Sequence, residues 1–129
     1  MLKTGILNPD INSLLSRIRH TNTLVIVDRG FPFCPQMETV DISLVDDIPK
    51  VLDVLRAVRR NFVIAKVFMA REFQLGSDAA TQRAFEDALE GIPVMLEPHA
   101  EFRKRVPQAI GLIRTGDTVQ YANMILESG

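Results

Sequence analysis

Short apolar runs alternate with amphipathic segments along this 129-residue chain. Residues Thr23–Val27 form an unbroken run of apolar and β-branched side chains, which is typical of a strand covered on both faces. The further strands predicted from comparable runs are Val40–Leu44, Phe62–Met69, Ile92–Leu96, Ala109–Arg114 and Asn123–Leu126. Strands that alternate with helices favour a mostly parallel sheet with helices on both faces. We therefore predict a single α/β domain over residues 1–129, with three layers in the order α/β/α.

Four segments have the features of a helix. The first has apolar residues at positions i, i+3, i+4 and i+7, namely Ile11, Leu14, Leu15 and Ile18. Asn8 or Asp10 is its predicted N-cap, because both side chains can accept hydrogen bonds from free backbone N–H groups. The other three predicted helices open at Asp47-Ile48-Pro49, span Asp78–Glu90 before Gly91, and span His99–Val106.

The composition limits the classes of partner. Fifteen Lys and Arg against sixteen Asp and Glu give a formal net charge of -1, which provides no general attraction to nucleic acid or an anionic membrane. The single cysteine, Cys34, cannot form an intrachain disulfide and is too few for a structural zinc site. No apolar stretch approaches the ~20 residues of a membrane helix. We expect a cytoplasmic protein whose partner is a small neutral molecule or another protein.

The side chains that could take part in catalysis or ligand binding lie at the edges of predicted elements. The chain has only two histidines, His20 and His99, and imidazole can give and accept a proton near neutral pH. Asp28 is the first polar residue after a buried strand, and ligand sites in such sheets lie at the carboxyl ends of strands. Each residue also has a purely structural interpretation. Asp28 could cap its loop, His20 could end a helix, His99 could start one, and Tyr121 could be a half-buried sheet aromatic.

Six blocks of sequence, taken in order and spacing, resemble the ribose pyranase and fucose mutarotase family. The blocks are Gly5-Ile6-Leu7-Asn8, His20-Thr21-Asn22-Thr23-Leu24-Val25, Asp28 with Gly30-Phe31-Pro32, Val40-Asp41-Ile42-Ser43-Leu44, Ile113-Arg114-Thr115-Gly116 and Tyr121-Ala122-Asn123-Met124-Ile125-Leu126. The resemblance runs from about Lys3 to the C-terminus, so it is far more specific than any single motif.

The resemblance implies an isomerase that interconverts cyclic forms of a free monosaccharide, without a metal or nucleotide cofactor. The forms are pyranose and furanose for ribose, or the two anomers for fucose. It also implies homo-oligomeric rings, often decamers of two stacked pentamers, with sites at subunit interfaces. By position, His20 matches the family's proton donor. The matched sugar-binding residues are Asp28, His99, Tyr121, Asn123 and the backbone of Ala122.

The chemistry of ring opening suits these residue types. It needs one proton delivered to the ring oxygen and one removed from the anomeric hydroxyl, and such acid/base help is worth about 10²–10⁴ in rate. If the chain from His20 to Asp28 were extended, eight steps of about 3.3 Å would separate the two residues by roughly 26 Å. Either the segment after His20 folds back, or the site combines residues of two subunits. We expect an isolated monomer to be inactive.

Four positions depart from the family pattern. Arg19 stands where Gly is usual, Arg29 replaces a small residue beside Asp28, Arg103 stands where Lys is common, and Gln120 replaces a frequent Pro. Arg29 and Arg103 are candidate further contacts that could favour an anionic sugar, although a solvated face or an interface salt bridge is the explanation we favour.

The ribose branch of the family is the better match. The fucose branch tends to carry a His soon after the Asp and a Tyr-Gly-Asn near the end, whereas this chain has Arg29-Gly30 and Tyr121-Ala122-Asn123. Two alternatives stay open. One is a fucose-type or other hexose mutarotase, and the other is a non-catalytic sugar-binding accessory of a transporter.

Overall fold

The computed structural model describes residues 1–129 and contains one six-stranded sheet with α-helices on both faces. The strands are β1 (Thr23–Val27), β2 (Thr39–Asp41), β3 (Ile64–Ala70), β4 (Val94–Glu97), β5 (Gly111–Arg114) and β6 (Met124–Ser128). The helices are α1 (Pro9–Arg17), α2 (Val51–Arg59), α3 (Arg71–Gly76), α4 (Ala79–Ala88) and α5 (His99–Arg105), and a 3₁₀ turn follows at Val106–Gln108. The predicted α/β class is confirmed. None of the helices is long and apolar enough to cross a membrane.

The strand order is β2-β5-β1-β6-β3-β4. Strand β1 pairs in parallel with β5, as β5 does with β2 and β3 with β4, whereas β6 runs antiparallel to both β1 and β3. Five strands therefore point one way, as the prediction of a mostly parallel sheet requires, and β6 is the exception. The carboxyl ends of those five strands and the start of β6 share one edge of the sheet, which we call the cleft edge. The start of β1 and the end of β6 lie at the opposite, far edge.

Alternate side chains of β1 enter two separate cores. Leu24 and Ile26 pack in the larger core with residues of α1, α2 and α4, while Val25 and Val27 pack in the smaller core with Phe102 of α5. These four of the five β1 side chains are fully buried, which explains the apolar run and stabilises the fold by about 1.5–3 kcal/mol per side chain. This strand is a rigid support for the residues that follow it.

The first helix begins as its sequence predicts. Asn8 is the N-cap, because its side-chain oxygen accepts from the backbone N–H groups of Asp10 and Ile11 at 2.9 and 3.0 Å. Pro9 at the first helical position has no N–H group that would need a partner. Between the two candidate caps, the structure therefore selects Asn8.

Two predicted boundaries are wrong by three or more residues, for local reasons, and the other ends shift by at most two residues. Helix α2 begins at Val51 and not at Asp47, because Asp47 adopts a left-handed backbone conformation (φ 64°) that a helix cannot include. Strand β2 ends at Asp41 and not at Leu44, because the Asp41 side chain accepts from the Ser43 N–H at 2.9 Å and turns the chain away. Helix α3 was not predicted at all.

Candidate functional site

A cleft of about 380 Å³ opens at the cleft edge of the sheet. Its walls come from the loop after β1, the start of α5 and the connection between β5 and β6. Among its lining side chains are Asp28, His99, Asp117, Gln120, Tyr121 and Asn123. Only two of the eleven lining residues are hydrophobic, so the cleft suits a small ligand rich in hydroxyl groups.

Asp28 and Asn123 form the floor of the cleft. The Asn123 side-chain oxygen accepts from the Asp28 backbone N–H at 2.8 Å, which ties the end of β1 to the start of β6. The Asp28 carboxylate in turn accepts from the Gly30 N–H at 3.0 Å. Asn123 is 3% exposed, and its side-chain Nδ2 has no hydrogen-bond partner in the chain. This nitrogen atom is not fully buried, so it can be reached from the cleft. It is therefore a donor that a ligand can use.

Burial raises the pKa of Asp28 above its ordinary value. The backbone N–H groups of Gly30 and Phe31 oppose this rise, while the negative charge of Asp117 adds to it. A carboxylate oxygen pair has about four acceptor sites, so the bonds to the loop leave capacity for ligand hydroxyls. Asp28 is therefore an acceptor whose charged form is partly destabilised, which eases proton exchange with a bound hydroxyl.

Asp117 holds two elements of the cleft wall together. It is 2% exposed, and its two side-chain oxygens accept from the N–H groups of Val51 and Val119, each at 2.9 Å. Its own backbone oxygen accepts from the Arg29 N–H at 3.0 Å. The Thr115-Gly116-Asp117 segment thus anchors the start of α2 and the loop after β1. No local sequence pattern indicates this role of Asp117, because its bonded partners lie far away in the chain.

His99 is held between aromatic rings. Its ring stacks on Phe102 at a centroid distance of 6.0 Å and meets Tyr121 and Phe31 edge-on at 5.1 and 6.4 Å. The ring nitrogen Nδ1 is buried without a hydrogen-bond partner. The other nitrogen, Nε2, is therefore the one that a ligand in the cleft can meet.

Tyr121 reaches the cleft through an unusual backbone conformation. Its φ of 60° lies in the left-handed region, which is uncommon for residues other than Gly, Asn and Asp. Ala122, behind it, is fully buried and does not line the cleft, and its N–H donates to the Val119 oxygen at 3.4 Å. Strain of this kind concentrates at functional sites, where it aims a side chain at a ligand.

The two arginines take different positions. Arg29 borders the cleft, but its guanidinium donates to an Asp46 side-chain oxygen at 2.8 Å, and both side chains are more than half exposed. Arg103 is exposed in the last turn of α5 and does not line the cleft. Neither arginine offers an unpaired cation at the floor of the cleft.

His20 lies at the far edge, away from the cleft. Thr21, its neighbour, donates its N–H to the oxygen of Ser128 at the end of β6, whereas Asp28 bonds to Asn123 just before β6 begins. Five residues of strand, at about 3.4 Å each, separate these two attachment points by roughly 17 Å. The segment after His20 therefore does not fold back to the cleft of its own chain.

The fold and the cleft define an α/β domain with a polar cleft, of a size for a small molecule, at the carboxyl ends of its parallel strands. The whole chain, residues 1–129, matches the family described as "RbsD / FucU transport protein family". The chain belongs to this family, and the resemblance seen in the sequence is confirmed.

Named relatives cover the whole of this chain. A D-ribose pyranase of Geobacillus kaustophilus is 38% identical over 129 residues, which is 94% of that protein, and one of Laribacter hongkongensis is 35% identical and 98% covered. The structure of Bacillus subtilis RbsD complexed with D-ribose matches with a TM-score of 0.92 and 30% identity, covering 100% of this chain and 98% of that one. A fucose mutarotase from Streptococcus pneumoniae in complex with L-fucose matches with a TM-score of 0.83 at 19% identity, covering 99% and 98%, and supports the fold alone.

Proposed function

We propose that this protein is a mutarotase that interconverts the pyranose and furanose forms of free D-ribose. The observation that carries the proposal is the match, along the full chain, to an RbsD structure that holds D-ribose. The cleft supports it independently, because a carboxylate, an imidazole, a phenol and a primary amide converge there. These groups supply both donors and acceptors for sugar hydroxyls.

We infer a division of labour among the cleft residues. Asp28 would accept hydrogen bonds from two sugar hydroxyls, and Nδ2 of Asn123 would donate to a sugar oxygen. Nε2 of His99 and the Tyr121 hydroxyl would fix the orientation of the ring from the side. Ring opening then requires an acid at the ring oxygen and a base at the anomeric hydroxyl, and Asp28 would take the proton of that hydroxyl.

We propose that His20 of a second copy supplies the proton. The roughly 17 Å between the two edges of the sheet keeps His20 out of its own cleft, as estimated from five residues of strand. Exposed apolar side chains on the loops next to the cleft offer a surface for a second copy: Phe33 (72% exposed), Leu44 (75%), Val45 (58%) and Ile48 (54%). An assembly of two stacked pentamers, as the resemblance implies, would give every cleft such a neighbour.

The charges at the cleft favour an uncharged sugar. Asp28 and Asp117 border it, and Asp46 already pairs with the Arg29 guanidinium. An anionic sugar would meet two carboxylates and no unpaired cation, so like charges would oppose its binding. The cytoplasmic location expected from the sequence remains a prediction.

Magnetisation exchange between the pyranose and furanose signals of D-ribose tests the proposal. We expect the protein to accelerate this exchange. His20→Ala should reduce the acceleration by a factor of about 10²–10⁴ while it still binds ribose. Arg19→Ala, a change at the neighbouring exposed residue, is the matched control and should keep the wild-type rate. L-fucose anomers are measured in parallel.

Each contrary result has a clear meaning. If the protein accelerated the exchange of L-fucose anomers more than the exchange of ribose forms, L-fucose would be the substrate in place of D-ribose. Ribose binding without any exchange would indicate a sugar-binding accessory, and the mutarotase proposal would then be wrong.

A further inference from the structure

The N-terminus of helix α5 lacks a cap of its own. Pro98 occupies the N-cap position and has no side-chain hydrogen-bond acceptor, so the first N–H groups of the helix depend on other partners. The Glu101 and Phe102 N–H groups donate to the Pro98 oxygen at 2.9 and 3.1 Å. The His99 N–H, at the first position of the helix, needs an acceptor from elsewhere in the fold.

Glu72 of α3 supplies that acceptor. Both of its carboxylate oxygens lie 3.1 Å from the His99 backbone nitrogen. The contact follows from the sheet register, because Ala70 at the end of β3 pairs with Glu97 at the end of β4. Two residues beyond each strand end, Glu72 and His99 therefore meet at the cleft edge. A negative charge at the start of a helix is also favoured by the helix dipole.

This bond completes the restraint on His99. Phe31, Phe102 and Tyr121 hold the ring, and the carboxylate of Glu72 holds the backbone nitrogen of the same residue. With Nδ1 buried and without a partner, a rotation of the ring or a shift of α5 would withdraw Nε2 from the cleft. The position of Nε2 therefore depends on the position of the backbone of α5.

We propose that Glu72 is a positioning residue that holds His99 in place for sugar binding. The inference rests on the proposed function in that it takes His99 as a sugar contact. Glu72 itself does not line the cleft but an adjoining cavity, together with Gln120 and Tyr121. Its hydrogen bond to a cleft residue is the one to His99, so we assign its effect on the sugar to His99.

A double-mutant cycle on the Michaelis constant for D-ribose tests the proposal. We expect Glu72→Ala to raise KM about tenfold, the equivalent of roughly 1.4 kcal/mol, and to change kcat by less than about twofold. Glu72→Gln keeps one acceptor oxygen and should stay within about threefold of the wild-type KM. Glu86→Ala, which removes an exposed glutamate of α4, is the control and should leave both constants unchanged.

The same change in a His99→Ala background separates positioning from general stability. If Glu72 acts through His99, adding Glu72→Ala to His99→Ala should raise KM by less than about twofold. An equal rise of KM in both backgrounds, or a wild-type KM in Glu72→Ala alone, would overturn the proposal. A His99→Ala variant with the KM of the wild type would overturn it as well.

A second readout does not depend on sugar turnover. With ¹⁵N-histidine incorporated, the protein gives two backbone amide signals, because it has two histidines. Glu72→Ala should speed exchange of the His99 amide with water by at least about tenfold, and Glu72→Gln by less, because a bond to a charged acceptor is lost. Unchanged exchange would refute the contact. Suppose that the wild type did not accelerate the interconversion of ribose forms, while Glu72→Ala still sped hydrogen exchange of the His99 amide. The proposed function would then be wrong, and the contact of Glu72 with His99 would stand.

Discussion

Replacement of Asp117 by Asn should be costly although the two side chains have nearly the same shape. The Asp117 carboxylate accepts from two backbone N–H groups, those of Val51 and Val119, at 2.9 Å each and in a buried setting. An asparagine can accept only one of them and places its NH₂ group against the other donor. Hydrogen bonds to charged groups contribute about 1.5–3 kcal/mol, so we expect a loss of about 2–3 kcal/mol after relief of the repulsion with Asp28.

The control for this prediction is Asp78, the N-cap of α4. Its exposed carboxylate accepts from the Thr81 N–H at 2.7 Å, and Asn is an equally good N-cap, so Asp78→Asn should lose only a few tenths of a kcal/mol. Urea unfolding at one fixed protein concentration compares the variants, because the stability of an oligomer depends on concentration. A free energy of unfolding for Asp117→Asn within about 0.5 kcal/mol of the wild type would refute the reasoning.

Three further predictions concern the cleft and its support. Because the pKa of Asp28 is raised in the folded state, its stabilising contribution is present at acid pH and is lost as the pH rises through the folded pKa. The stability of Asp28→Asn relative to the wild type should therefore increase between about pH 3 and 7, and thermal melts across this range would show it. Arg29→Ala should change the KM for ribose by less than about threefold, because Asp46 already engages the guanidinium at the surface, and ribose exchange kinetics would detect a larger change. Gly116→Ala should lower the free energy of unfolding in urea more than Gly111→Ala does. The methyl group added at Gly116 meets the backbone oxygen of Val45, whereas the one added at Gly111 meets chiefly the side chain of Leu14, which can move.

The elements with strong local signals were predictable from the sequence. Apolar spacing and the Asn8 cap specify α1, and the unbroken run of Thr23–Val27 specifies β1. Helix α3 was missed because its six residues bury only Phe73, which leaves no apolar period to detect. The reversed direction of β6 is set by pairing with β1 and β3, which no local pattern encodes. The one available hint was the lack of a predicted helix between residues 115 and 123, since parallel strands need a longer crossover.

The cleft was predictable only in part. Asp28 follows a buried strand and so could be placed by its position, and His99 stood out as one of only two histidines. The sugar-binding roles of His99, Tyr121 and Asn123 came only from the resemblance of the sequence to a family. The sequence did not identify Glu72 as a residue that supports the cleft. Glu72 accepts from a backbone N–H of a helix that is distant along the chain, and such a contact leaves no sequence pattern.

Mixing two inactive variants tests most directly whether each site joins two copies of the chain. His20→Ala lacks the proposed proton donor and Asp28→Asn lacks the cleft acceptor, and the two are unfolded together in equal amounts and reassembled. If one copy supplies His20 to the cleft of its neighbour, about a quarter of the sites should combine an intact donor with an intact cleft in a heterologous ring. The account predicts recovery of about a quarter of the wild-type ribose exchange, whereas a mixture that assembles correctly and stays as inactive as its parents would contradict it.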